Sequence, residues 1–208
     1  KIINKKINKI FAKGKMTGEF IIPFDKEGNI GKNYGFSGKV INAFINLPKN
    51  FDLKNLTTKI EHTRQNSSNI FNIVIDKGNI FDIDLSNTTI QLKRNNNQTE
   101  VTSLLSTKGP FDFDQVQKIF SLFKVDVKNF KNIHGKADLK TNINFKVKKN
   151  FTTKDLIYSI EGKIPYAEIY PLKKRIIKEY LPDFNDEIII KDSKIKLIKK
   201  NLVNKIEL

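Results

Sequence analysis

The stretch that decides the fold runs from Gly109 to Val147: GPFDFDQVQKIFSLFKVDVKNFKNIHGKADLKTNINFKV. From residue 142 it alternates strictly, with Ile143, Phe145 and Val147 set against Asn142, Asn144, Lys146 and Lys148. Successive side chains of a strand point to opposite faces, so this strand has one apolar and one polar side. Upstream, Val116, Ile119, Phe120 and Phe123 fall at i, i+3, i+4 and i+7, which predicts a helix over Gln115 to Phe123 with one apolar face. Asp112 or Asp114 is the expected N-cap. Gly109-Pro110 is expected to break the strand before it. The apolar helix face (Val116, Ile119, Phe120, Phe123) should lie on the apolar side of the neighbouring strands and narrow it.

Outward from this stretch the two-faced strand recurs. Strands are expected over residues 14–24, 38–47, 56–61, 70–76 and 101–106. Lys77-Gly78-Asn79 reads as a hairpin loop, after which Phe81, Ile83 and Leu85 alternate with Asp82, Asp84 and Ser86. Ile90 and Leu92 then alternate with Gln91 and Lys93. Connections this short cannot make parallel crossovers, so the arrangement is an antiparallel meander. Further strands are expected over residues 155–160 and 162–167. A second short helix is expected from Tyr170 to Leu181, with Pro171 in its first turn and Pro182 beyond its end. Residues 188–190 and 195–198 read as a hairpin turning at 191–194, and another strand starts at Leu202.

The chain has 208 residues, enough to bury a core and most simply one domain. It opens on a strand-like segment without Met, and is read as one segment, 1–208, of a longer protein. No run approaches the roughly 18 apolar residues of a membrane span. The absence of Cys excludes disulfides and thiolate metal sites. The net charge of +16 raises nucleic-acid binding. Lys, Asn, Ile and Phe are enriched together, however, as A/T-rich codons would produce. The lysines are spread singly, with no Arg cluster and no aromatic-basic RNA motif. No nucleic-acid partner is expected.

Catalytic chemistry finds little footing. The two histidines, His62 and His134, have no Cys, Asp or Glu at metal-ligand spacing. Asp82 and Asp84 share one face of a strand, and Asp112 and Asp114 open a helix, positions better explained by solubility and capping than by acid-base work. Gly14-x-x-x-Gly18 lacks the Lys-Ser/Thr ending of a phosphate loop. The expectation is a protein without catalytic residues, metal or cofactor.

Residues 38–61 resemble residues 135–161. Lys49-Asn50-Phe51 recurs as Lys149-Asn150-Phe151, and Lys54, Leu56, Ile60 and Glu61 recur as Lys154, Leu156, Ile160 and Glu161. Gly38-Lys39 matches Gly135-Lys136 with a three-residue gap. Either this is chance likeness between two Lys/Asn-rich stretches, or it marks a modular, extended β protein.

Read together, Gly109-Pro110, the helix Val116 to Phe123, Gly135-Lys136-Ala137, Asp155-Leu156 with Tyr158, and Gly162 resemble the AsmA-like proteins of Gram-negative bacteria, nearest the YhdP branch. The likeness covers about residues 38–167 and is one of spacing. Where the family has Pro-Leu, this chain has Phe145-Lys146-Val147. The resemblance implies a mainly β fold: a curled, extended antiparallel sheet, a repeating, taco-like β-groove, with two short amphipathic helices. It also implies a periplasmic protein, anchored to the inner membrane through the parent chain, whose greasy groove conducts phospholipids between inner and outer membranes. The related TamB branch implies the alternative of a scaffold for outer-membrane protein assembly. Phe81, Ile83, Leu85, Ile90, Leu92, Ile143, Phe145 and Val147 are then the expected groove lining, with phospholipid acyl chains as partner. Their neighbours Asp82, Asp84, Gln91, Asn144 and Lys146 are polar, so a second apolar face is not expected. Alternation alone does not separate an open curled sheet from a closed sandwich, since both bury the same face.

Overall fold

The computed structural model describes residues 11–31, 33–47, 51–65, 68–95, 98–122, 130–148, 153–171, 174–184, 187–200 and 203–207. They form one antiparallel sheet of eleven strands. The strands are β1 (Phe11–Ile21), β2 (Gly35–Leu47), β3 (Phe51–Gln65), β4 (Ser68–Ile80), β5 (Ile83–Asp84), β6 (Thr88–Arg94), β7 (Gln98–Asp112), β8 (Phe130–Lys148), β9 (Thr153–Pro171), β10 (Ile188–Lys200) and β11 (Val203–Glu207). Helix α1 (Phe113–Leu122) follows β7, and α2 (Lys174–Tyr180) follows β9. Each long strand pairs with the next in sequence, while β5 and β6 share the space between β4 and β7.

Directly opposed residues share a face, so the register defines two surfaces. The inner face carries the rung Phe20, Phe36, His62, Phe71, Leu92, Val101 and Phe145 across seven strands. The next inner rung is Gly38, Ile60, Ile73, Ile90, Ser103, Ile143 and Tyr158. Small inner side chains are deeply covered: Thr58 is 4% exposed, Thr88 1% and Ser103 8%. Their outer-face counterparts Thr89 and Thr102 are exposed. Side chains crowd on the inside of a curve, so the inner face is the concave one. Asn42, Asn55 and Asp155, with left-handed φ of 49°, 53° and 54°, lie at breaks in register. Asn and Asp are the non-glycine residues that tolerate this conformation, and bulges bend and twist a sheet locally.

The sheet is curled but not closed over by a second layer. Only Ala43, Phe51, Leu56, Ile75 and Ala167 form a buried apolar core among the described residues. The chain exposes 15307 Å², against roughly 10,000 Å² for a compact monomer of this mass. The described strands belong to a single hydrogen-bonded sheet rather than to two separate sheets.

Several local expectations are corrected. Gly109-Pro110 does not break β7, which runs to Asp112. Beyond Lys108 that strand has a neighbour only in β8, leaving an unladdered side where Pro is tolerated. Pro171 likewise ends β9, past its last pair with β10, and α2 begins only at Lys174. The turn expected at residues 77–79 is strand. The chain reverses instead at Phe81 and Asp82, with Phe81 at φ 53°. Residues 155–167 form one strand, and residues 191–194 continue β10. Polar Lys and Asn residues carry these strands through because one face is solvated throughout. Pro48-Lys49-Asn50 and Lys149-Asn150, which read as turns in the sequence, lie outside the described residues.

Candidate functional site

The inner face is the candidate site, and the register sorts its expected lining. Ile90 and Ile143 sit on one rung, Leu92 and Phe145 on the adjacent one, and Val147 opposes Thr99 on the same face. Ile83 opposes Ile80, which opposes Leu53, which opposes Ile45. Ile45 and Leu85 both pack against the cluster of Ala43, Leu56 and Ile75, which puts Ile83 and Leu85 on the inner side too. Phe81 is a turn residue rather than a strand residue. Its ring packs at 5.5 Å from that of the buried Phe51.

Alternation within one strand could not find the residues that the register adds: Phe20, Phe36, Phe71, Val101, Ile60, Ile73 and Tyr158. Aromatic contacts tie them together. Phe20 and Phe36 lie 4.9 Å apart, and His62 stacks on Phe71 at 4.4 Å. His62 Nε2 also reaches Asn69 Oδ1 at 3.2 Å, so this histidine has an ordinary structural partner.

Helix α1 begins two residues earlier than its expected start at Gln115. Asp112 is its cap: Gln115 N donates to Asp112 Oδ1 at 2.8 Å, and Asp112 N donates to Gln115 Oε1 at 3.2 Å. That reciprocal pair is a capping box. Among the described residues the helix lies beside β7 and β8, and Lys118 Nζ sits 5.4 Å from the ring of Phe81 in the turn between β4 and β5. Val116 and Ile119 are half-buried. The Phe120 side chain and Phe123 lie outside the described residues. Among the described residues, α1 lies beside two of the eleven strands.

The outer face is not uniformly polar, contrary to expectation. Val74 and Leu104 lie on one outer rung with Ile198, and Ile157 lies on the next. A shallow depression of about 550 Å³ runs over these rungs, lined by Asn72, Val74, Gln91, Leu104, Asn144 and Ile198 among others. Short side chains form it between flanking rungs of long ones. Lys93, Glu100 and Lys146 border one side; Lys140, Glu161 and Lys196 border the other.

Near the α1 end, the outer face holds a polar cluster. His134 Nε2 lies 3.0 Å from Glu168 Oε2. The Tyr170 hydroxyl lies 2.7 Å from Glu187 Oε1 and 3.0 Å from Glu168 Oε2. Hydrogen bonds to Glu187 and then Glu168 favour the neutral phenol and push its pKa well above the ordinary tyrosine range. The cluster ties β8 and β9 to the segment entering β10. No group of three or more His, Cys, Asp or Glu that could hold a metal occurs among the described residues. Among the described residues, no helix is long and apolar enough to cross a membrane.

No family model, no curated protein and no solved structure matches the chain.

Proposed function

We propose that the inner face is a surface for phospholipid acyl chains. On this reading the chain is a segment of a periplasm-spanning, inner-membrane-anchored protein of the AsmA-like kind, conducting phospholipid between membranes rather than catalysing a reaction. The observation that supports this is the inner rung from Phe20 to Phe145: seven opposed residues, all apolar or aromatic but for His62, on the concave side of a sheet without a facing layer. An uncovered apolar surface on this scale is a binding surface in a folded protein. An acyl chain lying on it gains about 0.8 kcal/mol for each methylene it buries. Its headgroup can remain in water at the open side, so no charge has to be buried.

The test is binding of a fluorescent phospholipid by the purified chain and by the variant Ile90→Asp/Ile143→Asp. A carboxylate in the trough opposes an acyl chain strongly. The reading predicts binding by the parent chain and its loss in the variant, with the circular-dichroism spectrum unchanged. Equal binding by both, or none by either, overturns it.

A second reading rests on β1, which exposes Met16, Phe20 and Ile21 along an edge strand. Such an edge could take a client strand by backbone pairing, as an assembly scaffold would. Co-purification of a β-barrel protein instead of lipid would favour it.

A further inference from the structure

The lysines that are scattered in the sequence are gathered by the sheet. On the outer face of β8–β10, Lys163 directly opposes Lys194. On the adjacent rung Glu161 lies between Lys140 and Lys196. On the other side, Lys136 and Lys191 flank Tyr166. All six lysines are exposed. The one acid on the Lys163 rung within these strands, Asp138, is held by Lys108 at 3.2 Å. Among the described residues, Lys140, Lys163, Lys194 and Lys196 have no carboxylate within ion-pair distance. They wall a depression of about 590 Å³ together with Asp138 and Glu161. Like charges set directly opposite each other destabilise a sheet. The Lys163–Lys194 pair therefore costs stability unless something negative covers it.

We propose that this face docks on an anionic lipid bilayer. The groups are spaced in two dimensions, about 4.8 Å between strands and about 7 Å between rungs. Such a plane of point charges matches a headgroup surface better than the single file of phosphates on a nucleic-acid strand. The ammonium groups are lysines throughout, whereas bidentate phosphate recognition selects arginine. The patch has no aromatic stacking platform beyond Tyr166, as single-stranded nucleic acid would use. A second lysine group lies on the same face, where Lys146 opposes Lys154 with Lys148 on the adjacent rung, and Asp155 pairs with Lys146 at 3.5 Å. Juxtamembrane lysines draw proteins to anionic leaflets additively and in a salt-dependent way.

The experiment is flotation of the chain with phosphatidylcholine vesicles and with mixed phosphatidylcholine–phosphatidylglycerol vesicles, at low and high salt. Three chains are compared: the parent, Lys163→Gln/Lys194→Gln/Lys196→Gln, and a control with equal charge loss on β1 and β2, Lys13→Gln/Lys15→Gln/Lys39→Gln. The expected result is salt-sensitive flotation of the parent with the anionic vesicles only. The β9–β10 variant should partition roughly a hundredfold more weakly, the control nearly as well as the parent. The trough variant Ile90→Asp/Ile143→Asp should float like the parent, so failure of the acyl-chain reading would be seen separately. Equal weakening of both lysine variants would reduce the effect to net charge and overturn the proposal. Absence of flotation would also overturn it, as would tighter β9–β10-dependent binding to an oligonucleotide than to the vesicles.

Discussion

Asn55 in β3 and Asp155 in β9, a hundred positions apart, hold the same left-handed backbone, φ 53° and 54°. Each sits at a break in strand register, and each is followed by Leu, at 56 and 156, and by an inward Ile, at 60 and 160. The two matching sequence stretches thus carry one backbone device. Upstream the match does not carry over in the same way: Gly38 faces Ile60, whereas Gly135 faces Ala167.

The bulges are expected to depend on residue type rather than on contacts. Replacing Asn55 with Val should cost about 1–2 kcal/mol, because a β-branched residue resists left-handed φ. Asn55→Gly should be close to neutral. Urea unfolding of both variants checks this. A Val variant as stable as the parent would show that the bulge relaxes.

Asp112→Ala removes the acceptor for Gln115 N and should cost about 0.5–2 kcal/mol of helix stability. Because α1 lies at the end of β7 and β8, the effect should stay local. Amide exchange should quicken over residues 113–116 and stay unchanged in β3 and β4. Faster exchange throughout the sheet would mean that α1 is a structural keystone.

Tyr170 should ionise above the ordinary tyrosine range. An unfolded phenol titrates near 10.0, and the folded one titrates higher because Glu187 and Glu168 accept hydrogen bonds from its hydroxyl. The stabilisation is therefore whole below that pH and diminishes as pH rises above it, since the unfolded state loses its proton first. Tyrosinate absorbance should show one lagging group that Tyr170→Phe abolishes. Titration of all five tyrosines in one step would rule out the Glu168–Tyr170–Glu187 arrangement in solution.

What could be read from the sequence followed from short-range periodicity. Ile143, Phe145 and Val147 alternate cleanly, and the structure puts them on one face. Pro182 does lie past α2, and Asp112 does cap α1. Errors arose where a local breaker was read without its strand neighbours. Pro110 and Pro171 are accommodated because only one side of each strand end is laddered, a fact of tertiary pairing. Gly78 looked like a turn residue, but the space where its side chain would be is taken up by Leu56 and Ile75. The rungs joining Phe20 to Phe145 and Lys163 to Lys194 join residues far apart or on different strands, and only the register brings them together. The Tyr170–Glu187 bond spans a helix, and no spacing rule anticipates it.

The central claim, that acyl chains lie on the inner face alone, is tested most directly by photo-crosslinking in cell envelopes. A photoreactive residue is placed at 73 and 90 on the inner face, and at 72 and 91 on the outer face of the same strands, away from the lysine face of β8–β10. The account predicts phospholipid adducts from positions 73 and 90 and none from 72 and 91. Equal adducts from both pairs, or none from either, would contradict it.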